Sequence, residues 1–155
     1  MFEQESGSVK RERSDLPSIQ KEPHKMSPSF ESIPPSPFCE LVGLETLEVG
    51  AEKAVTALTL GPQHANAFGT AHGGAIFALA DRAFGLAQNA DGVTRLAMDM
   101  SIRFLRPALV GQRLTATARR VQGGRQTAFY RIDVEDEAGR LVACLSGTGH
   151  VFEKR

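Results

Sequence analysis

The residues with the clearest chemical potential lie in one stretch near the middle of the chain, NAFGTAHGGAIFALAD (66–81). Gly73 and Gly74 are predicted to begin a helix, where unpaired backbone N–H groups and the positive end of the helix dipole attract negative charge. Because glycine has no Cβ, both could present N–H groups to an oxygen that becomes negative. A donor of this kind stabilises the transition state of acyl transfer by about 3–4 kcal/mol. The alternative is that the Gly-Gly pair only allows close packing of the helix, and this interpretation is favoured when the pair is taken alone.

Asp81 is a carboxylate inside an otherwise apolar stretch. Such a group is seldom fully buried without a partner, and isolated burial would raise its pKa. Arg82 is a poor partner, because adjacent residues of a helix do not face each other. Since perturbed carboxylates cluster at functional sites, we interpret Asp81 as a catalytic group that attacks a carbonyl carbon or activates water, rather than as half of a salt bridge.

Gly73 and Asp81 stand too far apart to act together within one chain. Eight residues of helix correspond to about 12 Å along the axis, whereas reacting atoms must approach to about 3–3.5 Å. If both act on one carbonyl, Gly73 of one protomer must meet Asp81 of another. We therefore expect the helix to pair antiparallel across a two-fold axis, which gives a homodimer with two equivalent sites.

Two further polar residues of the stretch have a functional and a structural interpretation each. His72 could serve as a general base, because its usual pKa lies near neutrality, or it could hold the loop before the helix by hydrogen bonding. No acidic residue flanks it to orient an imidazole base, which favours the positioning role. The Asn66 amide could bind a loop carbonyl or a substrate. Because asparagine is common in turns, the structural interpretation is favoured when Asn66 is taken alone.

The helix that would carry these groups is predicted over residues 73–89. Its apolar side chains lie on every face, so we expect it to be buried on all sides. A short helical turn and two β-type runs precede it, and four β-type runs follow. Among the four, AMDMSIRFL alternates strictly, with Met98, Met100 and Ile102 on one face. Strands on both sides of one buried helix indicate an α+β fold in which an antiparallel sheet wraps around one long central helix.

Composition limits the classes of protein to consider. The 155 residues suffice for one domain, and 18 basic residues balance 18 acidic ones, so no net field favours nucleic acid or an anionic membrane. Cys39 and Cys144 lie far apart without a metal-type spacing, so we expect two free thiols and no metal. The chain has no apolar run of about 20 residues and no signal-peptide pattern, which predicts a cytoplasmic protein that does not insert into a membrane.

The first 36 residues differ in composition from the rest. Six of the chain's eight prolines precede Phe38, among many Glu, Lys, Arg and Ser residues. Such a segment buries too little apolar surface to offset the loss of chain entropy. We predict a disordered N-terminal tail over residues 1–36 and a globular domain over residues 37–155.

The spacing Asn66-x5-His72-Gly73-Gly74-x6-Asp81 resembles the signature of hotdog-fold acyl-CoA thioesterases of the phenylacetic-acid-degradation type. The strand half, from IRFLRPALVG to LSGTGHVF, is similar to the same family, so the resemblance covers about residues 38–153. It implies a hotdog domain, a homodimer and often a homotetramer, and hydrolysis of acyl-CoA. Coenzyme A is then part of the substrate, and no separate cofactor is expected.

The resemblance also assigns roles to the motif residues. Gly73 corresponds to the backbone donor to the thioester carbonyl, and Asp81 of the partner corresponds to the nucleophile or general base. Asn66 and His72 correspond to positions that shape the site and position the attacking water. Some relatives carry a hydroxyl residue near the start of the third strand to orient water. The corresponding position here is Ala97, with Thr94 or Ser101 as candidates to replace that hydroxyl.

The phosphates of coenzyme A require cations. We predict a substrate-binding set at the helix start, at strand ends and beside the glycine turn, where relatives bind the nucleotide, because the planar fork of arginine suits phosphate. Each arginine alone is more commonly a solvated surface charge. The set consists of Gly74, Arg106, Arg120, Gly124 and Arg125.

Three functions compete on the sequence. The first is an acyl-CoA thioesterase for aryl-acetyl or medium-chain acyl groups, with the aryl preference implied by the resemblance alone. Phe68, Phe77 and Phe84 could line an acyl pocket or pack in the core. The second is a non-catalytic acyl-CoA-binding or regulatory hotdog module, against which Asp81 argues. The third is a hotdog dehydratase, whose His/Asp or His/Glu arrangement is not visible in the sequence.

Overall fold

The fold is given by a computed structural model that describes Ile33 and residues 36–152. Most of the predicted tail, residues 1–36, lies outside the described residues, so its disorder stays a prediction. The first described helix begins at Pro37, and Ser36 caps it, its hydroxyl accepting the Cys39 N–H (3.4 Å). The domain bounds stay a prediction.

The described chain contains two α-helices, one 3₁₀ turn at Pro62–His64 and six strands. In chain order the elements are α1 (Pro37–Val42), β1 (Glu45–Glu48), β2 (Lys53–Thr59), α2 (Gly73–Asn89), β3 (Leu96–Phe104), β4 (Arg113–Gly123), β5 (Thr127–Glu135) and β6 (Leu141–His150). The strands form one antiparallel sheet in the order β1-β2-β4-β5-β6-β3. The α+β fold predicted from the sequence, with its long helix over residues 73–89, is confirmed.

One face of the sheet packs on α2, and small side chains on the strands allow the close approach. A Cβ added at Gly147 on β6 would lie 3.2 Å from the Phe84 ring, which is fully buried. On β2, the buried Thr56 hydroxyl donates to the Leu79 carbonyl in the middle of the helix (2.9 Å). Phe84 therefore belongs to the core of the chain, as the second of its two interpretations predicted.

Side chains cap the C-terminal end of α2. Asn89 Nδ2 donates to the Gly85 carbonyl (2.8 Å), and Asn89 Oδ1 accepts the Arg95 N–H (2.7 Å). The buried Arg95 guanidinium donates to the Gln88 carbonyl (2.7 Å) and pairs with Asp91 (2.8 Å). The bond to Gln88 satisfies one of the last-turn carbonyls, which have no partner within the helix.

The expectation that α2 is buried on all sides is wrong for the single chain. Gly74 and Asp81 are exposed, and Phe77 is half-buried. The reason is geometric: the sheet covers only one side of the helix, so the opposite face keeps its small and apolar residues uncovered within one chain.

β3 departs from the strict alternation predicted for it. The register with β6 shifts between Ala97 and Asp99, so Met98 bulges from the ladder and is exposed. Met100 and Ile102 do pack against the core. β3 lies at the end of the sheet with β6 as its single neighbour, and bulges are common at such edges.

Among the described residues, no helix combines the length and apolar character needed to cross a bilayer. The cytoplasmic location stays a prediction.

Candidate active site

His64 anchors the loop that leads into α2. Its buried ring accepts the Gly61 N–H at Nδ1 (2.9 Å), so the proton lies on Nε2, which donates to the Val42 carbonyl (2.8 Å). The His64 carbonyl in turn accepts the N–H of His72 (2.7 Å), the residue just before the helix. Sequence reasoning missed His64, because a single histidine outside the motif gives no signal of partners that lie on another segment.

Asn66 uses its side chain within the same loop. Nδ2 donates to Thr70 Oγ1 (2.8 Å), and Oδ1 accepts the N–H groups of Phe68 (2.9 Å) and Thr70 (3.2 Å). Gly69, with φ of +78°, supplies the left-handed conformation that the turn needs. This geometry favours the structural interpretation of Asn66, and a contact between its amide and substrate stays a prediction. Phe68 is almost fully exposed in the single chain.

His72 is the cap at the start of α2. Its backbone is extended, with φ of −65° and ψ of 135°, and its Nδ1 accepts the Gly74 N–H (2.9 Å). A Cβ at Gly74 would lie 3.0 Å from that nitrogen, so glycine leaves room for the cap. Nδ1 is therefore occupied by the helix, which favours the positioning role of His72 over that of a general base. The Gly74 N–H is likewise occupied.

Gly73 carries the free donor at the start of α2. The next three N–H groups all find acceptors on His72, whereas that of Gly73 has none among the residues that the structure describes. Gly73 also packs against an aromatic ring, since a Cβ added to it would lie 3.0 Å from Phe104 Cζ. Of the two candidate glycines, Gly73 alone therefore presents an unpaired N–H to a ligand.

A cavity of about 370 Å³ lies beside Gly73. Its lining is mostly apolar, with three polar side chains. The lining residues are Asn66, Thr70, Ala71, Gly73, Ile76, Phe104, Leu105, Arg106, Pro107 and Ala108. The cavity thus joins the motif to Arg106, whose guanidinium donates to the Leu141 carbonyl (2.7 Å). Phe104 and the apolar residues around Arg106 were missed, because an apolar strand end looks the same in a core and in a site.

Asp81 lies on the uncovered face of α2, so its predicted burial is wrong for the single chain. Neither Arg82 nor any other described residue pairs with its carboxylate. Although solvent reaches the side chain, surrounding protein displaces enough water to raise the pKa of the carboxyl above its usual value. Asp81 does not line the cavity at Gly73. The unbroken helix keeps the two residues about 12 Å apart along its axis.

The rest of the predicted substrate-binding set lies at the other end of α2. The Arg120 side chain pairs with Glu52 (3.5 Å), and the Tyr130 hydroxyl links the neighbouring Ala51 to Ala87 in the last turn of the helix. Gly124 and Arg125 form the turn between β4 and β5. About 24 Å of helix separates this end from Gly73, so one chain does not bring Arg120 and Arg125 together with Arg106.

Ser101 does not replace the hydroxyl that some relatives carry at the position of Ala97. Ser101 alternates with Ile102, which packs against the core on the helix side, so Ser101 faces the opposite side of the sheet. Ala97 is exposed and lies directly before the bulge. A role for Thr94 in orienting water stays a prediction.

The described residues offer no preformed metal centre. Cys39 on α1 and Cys144 on β6 are free thiols. In this part of the chain, no group of three or more His, Cys, Asp and Glu side chains could hold a metal ion.

Known proteins share this architecture. The family described as the thioesterase superfamily matches residues 68–143. Acyl-coenzyme A thioesterase PaaI of Escherichia coli is 36% identical over 109 residues, which cover 70% of this chain and 78% of that protein. A mutant of the phenylacetic acid degradation protein PaaI of Thermus thermophilus has a TM-score of 0.72 and 40% identity, covering 76% of this chain and 100% of that one. A Streptococcus mutans protein solved with acetyl CoA has a TM-score of 0.68 and 27% identity, covering 72% and 90%.

These matches extend well beyond the motif. The family match spans α2 and the strands from β3 to β5, and it accompanies a six-stranded antiparallel sheet wrapped around one long helix. The chain therefore belongs to the hotdog-fold thioesterase superfamily, as a PaaI-like member.

Proposed function

We propose that the protein is an acyl-CoA thioesterase that hydrolyses aryl-acetyl or medium-chain acyl-CoA to the free acid and coenzyme A. Thioester hydrolysis is the chemistry of its superfamily, and the Escherichia coli relative is named for acyl-coenzyme A. The observation that carries the assignment of the site is the free Gly73 N–H at the wall of a largely apolar cavity. An acyl chain can occupy such a cavity while its carbonyl oxygen accepts that N–H.

The chemistry needs one donor and one carboxylate. The Gly73 N–H, at the positive end of α2, stabilises negative charge on the carbonyl oxygen as the tetrahedral intermediate forms. The Asp81 carboxylate either attacks the carbonyl carbon, giving an acyl anhydride that water then hydrolyses, or removes a proton from water as its oxygen attacks. In both routes the C–S bond breaks, coenzyme A leaves as thiol after protonation, and the acid is released. An exposed, unpaired carboxylate with a raised pKa suits either role.

The two groups meet only if two protomers combine. Antiparallel helices that pair Gly73 with Asp81 of the partner have their two-fold axis near residue 77, the midpoint of 73 and 81. That residue is Phe77, which one chain leaves half-buried on the uncovered face. A homodimer of this kind would cover the exposed face of α2, desolvate Asp81 further and create two equivalent sites. A homotetramer of two such dimers is the expected assembly.

The same arrangement would bring the distant arginines of the partner close to the site at Gly73. In an antiparallel pair, the last turn of the partner's helix extends beyond Gly73, on the side of the loop before α2. Arg120, Gly124 and Arg125 lie at that last turn and would come from the partner, whereas Arg106 comes from the chain that supplies Gly73. The nucleotide phosphates of coenzyme A would then lie between cations of two protomers. The solved relative with acetyl CoA supports binding of an acyl-CoA by this fold.

Release of free thiol from a panel of acyl-CoAs tests the proposal. The panel covers acetyl, hexanoyl, octanoyl, phenylacetyl and benzoyl groups, and we expect turnover of the medium-chain and phenylacetyl members. Asp81→Asn should abolish turnover, because the amide is neither a base nor a nucleophile, while coenzyme A binding measured by calorimetry stays close to wild type. Asp133→Asn, a carboxylate on β5 that pairs with Arg131, is the matched control and should keep its activity.

The outcomes separate the competing functions. Wild-type protein that binds acyl-CoA but releases no thiol would be a binding or regulatory module instead. Full activity in Asp81→Asn would assign the carboxylate a structural role and overturn the mechanism.

A further inference from the structure

Phe104 stands where the cavity meets the proposed oxyanion donor. It is the last residue of β3 and pairs with Ala143 of β6, so its side chain faces the helix side of the sheet. The ring tip points at Gly73: an added Cβ there would lie 3.0 Å from Cζ but 3.5 and 3.6 Å from the two Cε atoms. Phe104 therefore approaches the first residue of α2 end-on, and only glycine at position 73 leaves the ring its place.

The ring is half exposed and does not belong to the buried core. Phe104 is 53% exposed, and it lines the cavity together with Gly73 and Ile76. A carbonyl oxygen that accepts the Gly73 N–H lies about 2.9 Å from that nitrogen. That oxygen would lie in the cavity that the Phe104 ring also lines, so an acyl group bound there has the ring as a neighbour.

We infer that Phe104 determines specificity by limiting the bulk of the acyl group at the carbon attached to the thioester carbonyl, an inference that rests on the proposed function. A CH₂ at that carbon passes the ring edge, as in phenylacetyl or hexanoyl groups. A ring or a branch attached directly to the carbonyl meets Phe104 and displaces the oxygen from the Gly73 N–H. A difference of one methylene in a packed pocket typically changes kcat/KM by 10- to 200-fold.

Phenylacetyl-CoA and benzoyl-CoA test this inference, because they differ by a single CH₂ next to the carbonyl. The measurement is kcat/KM for each, expressed as the ratio of benzoyl to phenylacetyl. Phe104→Leu keeps an apolar side chain on β3 but removes the ring tip, so we expect the ratio to rise about tenfold over wild type. The ratio of kcat/KM for isobutyryl-CoA to that for butyryl-CoA should rise as well.

Phe129→Leu is the matched control. Phe129 has a similar exposure (46%) and also lies on a strand, but it lines a separate cavity on the face of the sheet away from α2. Its ratio should equal that of the wild type. Thermal melting of both variants shows whether they fold alike.

Each outcome bears on one claim only. An unchanged ratio in Phe104→Leu, or an equal loss of kcat/KM on both substrates, overturns the specificity role while the thioesterase proposal stands. Activity that is absent from wild type on every acyl-CoA overturns the proposed function whatever Phe104 does. Activity that survives Asp81→Asn overturns the role assigned to that carboxylate.

Discussion

Removal of a single N–H group at Gly73 isolates the proposed oxyanion donor. Proline has no backbone N–H and is favoured at the first position of a helix, which Gly73 occupies. The residue before proline must be extended, and His72 already is, with φ of −65° and ψ of 135°. Gly73→Pro should therefore preserve α2 and the His72 cap while it deletes the donor.

The structure supplies the matched control and the magnitude. Any side chain at position 73 brings a Cβ to 3.0 Å from Phe104 Cζ, so both Gly73→Pro and Gly73→Ala disturb the ring. Only the alanine variant keeps the N–H. Loss of one preorganised donor costs about 10²- to 10³-fold in kcat, or about 3–4 kcal/mol, so the proline variant should fall below the alanine variant by this factor.

The assay is thiol release at saturating phenylacetyl-CoA or octanoyl-CoA, with the helix content of each variant checked by circular dichroism. Equal kcat values in folded Gly73→Pro and Gly73→Ala would refute the argument, because the N–H would then contribute nothing to the transition state.

Two other residues give predictions of their own. His72→Asn keeps a side-chain acceptor at the cap but removes the imidazole, so kcat should stay within about threefold of wild type and its pH profile should keep its shape. A general-base role for His72 predicts instead that activity is lost together with the change of kcat near neutral pH. For Asp81, desolvation raises the pKa in the folded protein above the usual 3.8, so the folded state holds the proton to higher pH than the unfolded chain. This carboxyl therefore weakens folding as pH rises through that window. In calorimetric scans Asp81→Asn should melt above wild type at pH 7, and the difference should shrink toward pH 3.5; a higher melting temperature for wild type at pH 7 would contradict this sign.

The sequence predicted the elements better than the contacts between them. The bounds of α2 followed from local features: glycines at the start and a continuous apolar run to Asn89. The unpaired N–H of Gly73 followed from the same local chemistry. The hydrogen bond from the Gly74 N–H to His72 could not be predicted, because it depends on which ring nitrogen of His72 faces the helix.

What could not be predicted depends on long-range packing. The proximity of Phe104 to Gly73 joins residues of different elements through the position of β3 at the sheet edge, which alternation alone does not fix. The separation of Arg106 from Arg120 follows from the length of α2 combined with the strand order. The exposure of Asp81 follows from a one-sided sheet: an apolar helix face predicts a partner surface but not whether that surface belongs to the same chain.

The cross-protomer site is tested most directly by mixing two inactive variants. Asp81→Asn keeps the Gly73 N–H, and Gly73→Pro keeps the Asp81 carboxylate. A mixed dimer therefore contains one fully wild-type site and one doubly altered site. After co-refolding at equal amounts, half of the dimers are mixed, and we predict recovery of about a quarter of the wild-type activity per protomer. If Gly73 and Asp81 act within the same chain, every site in the mixture carries one lesion. Activity would then stay at the level of the separate variants, which would contradict the two-protomer site.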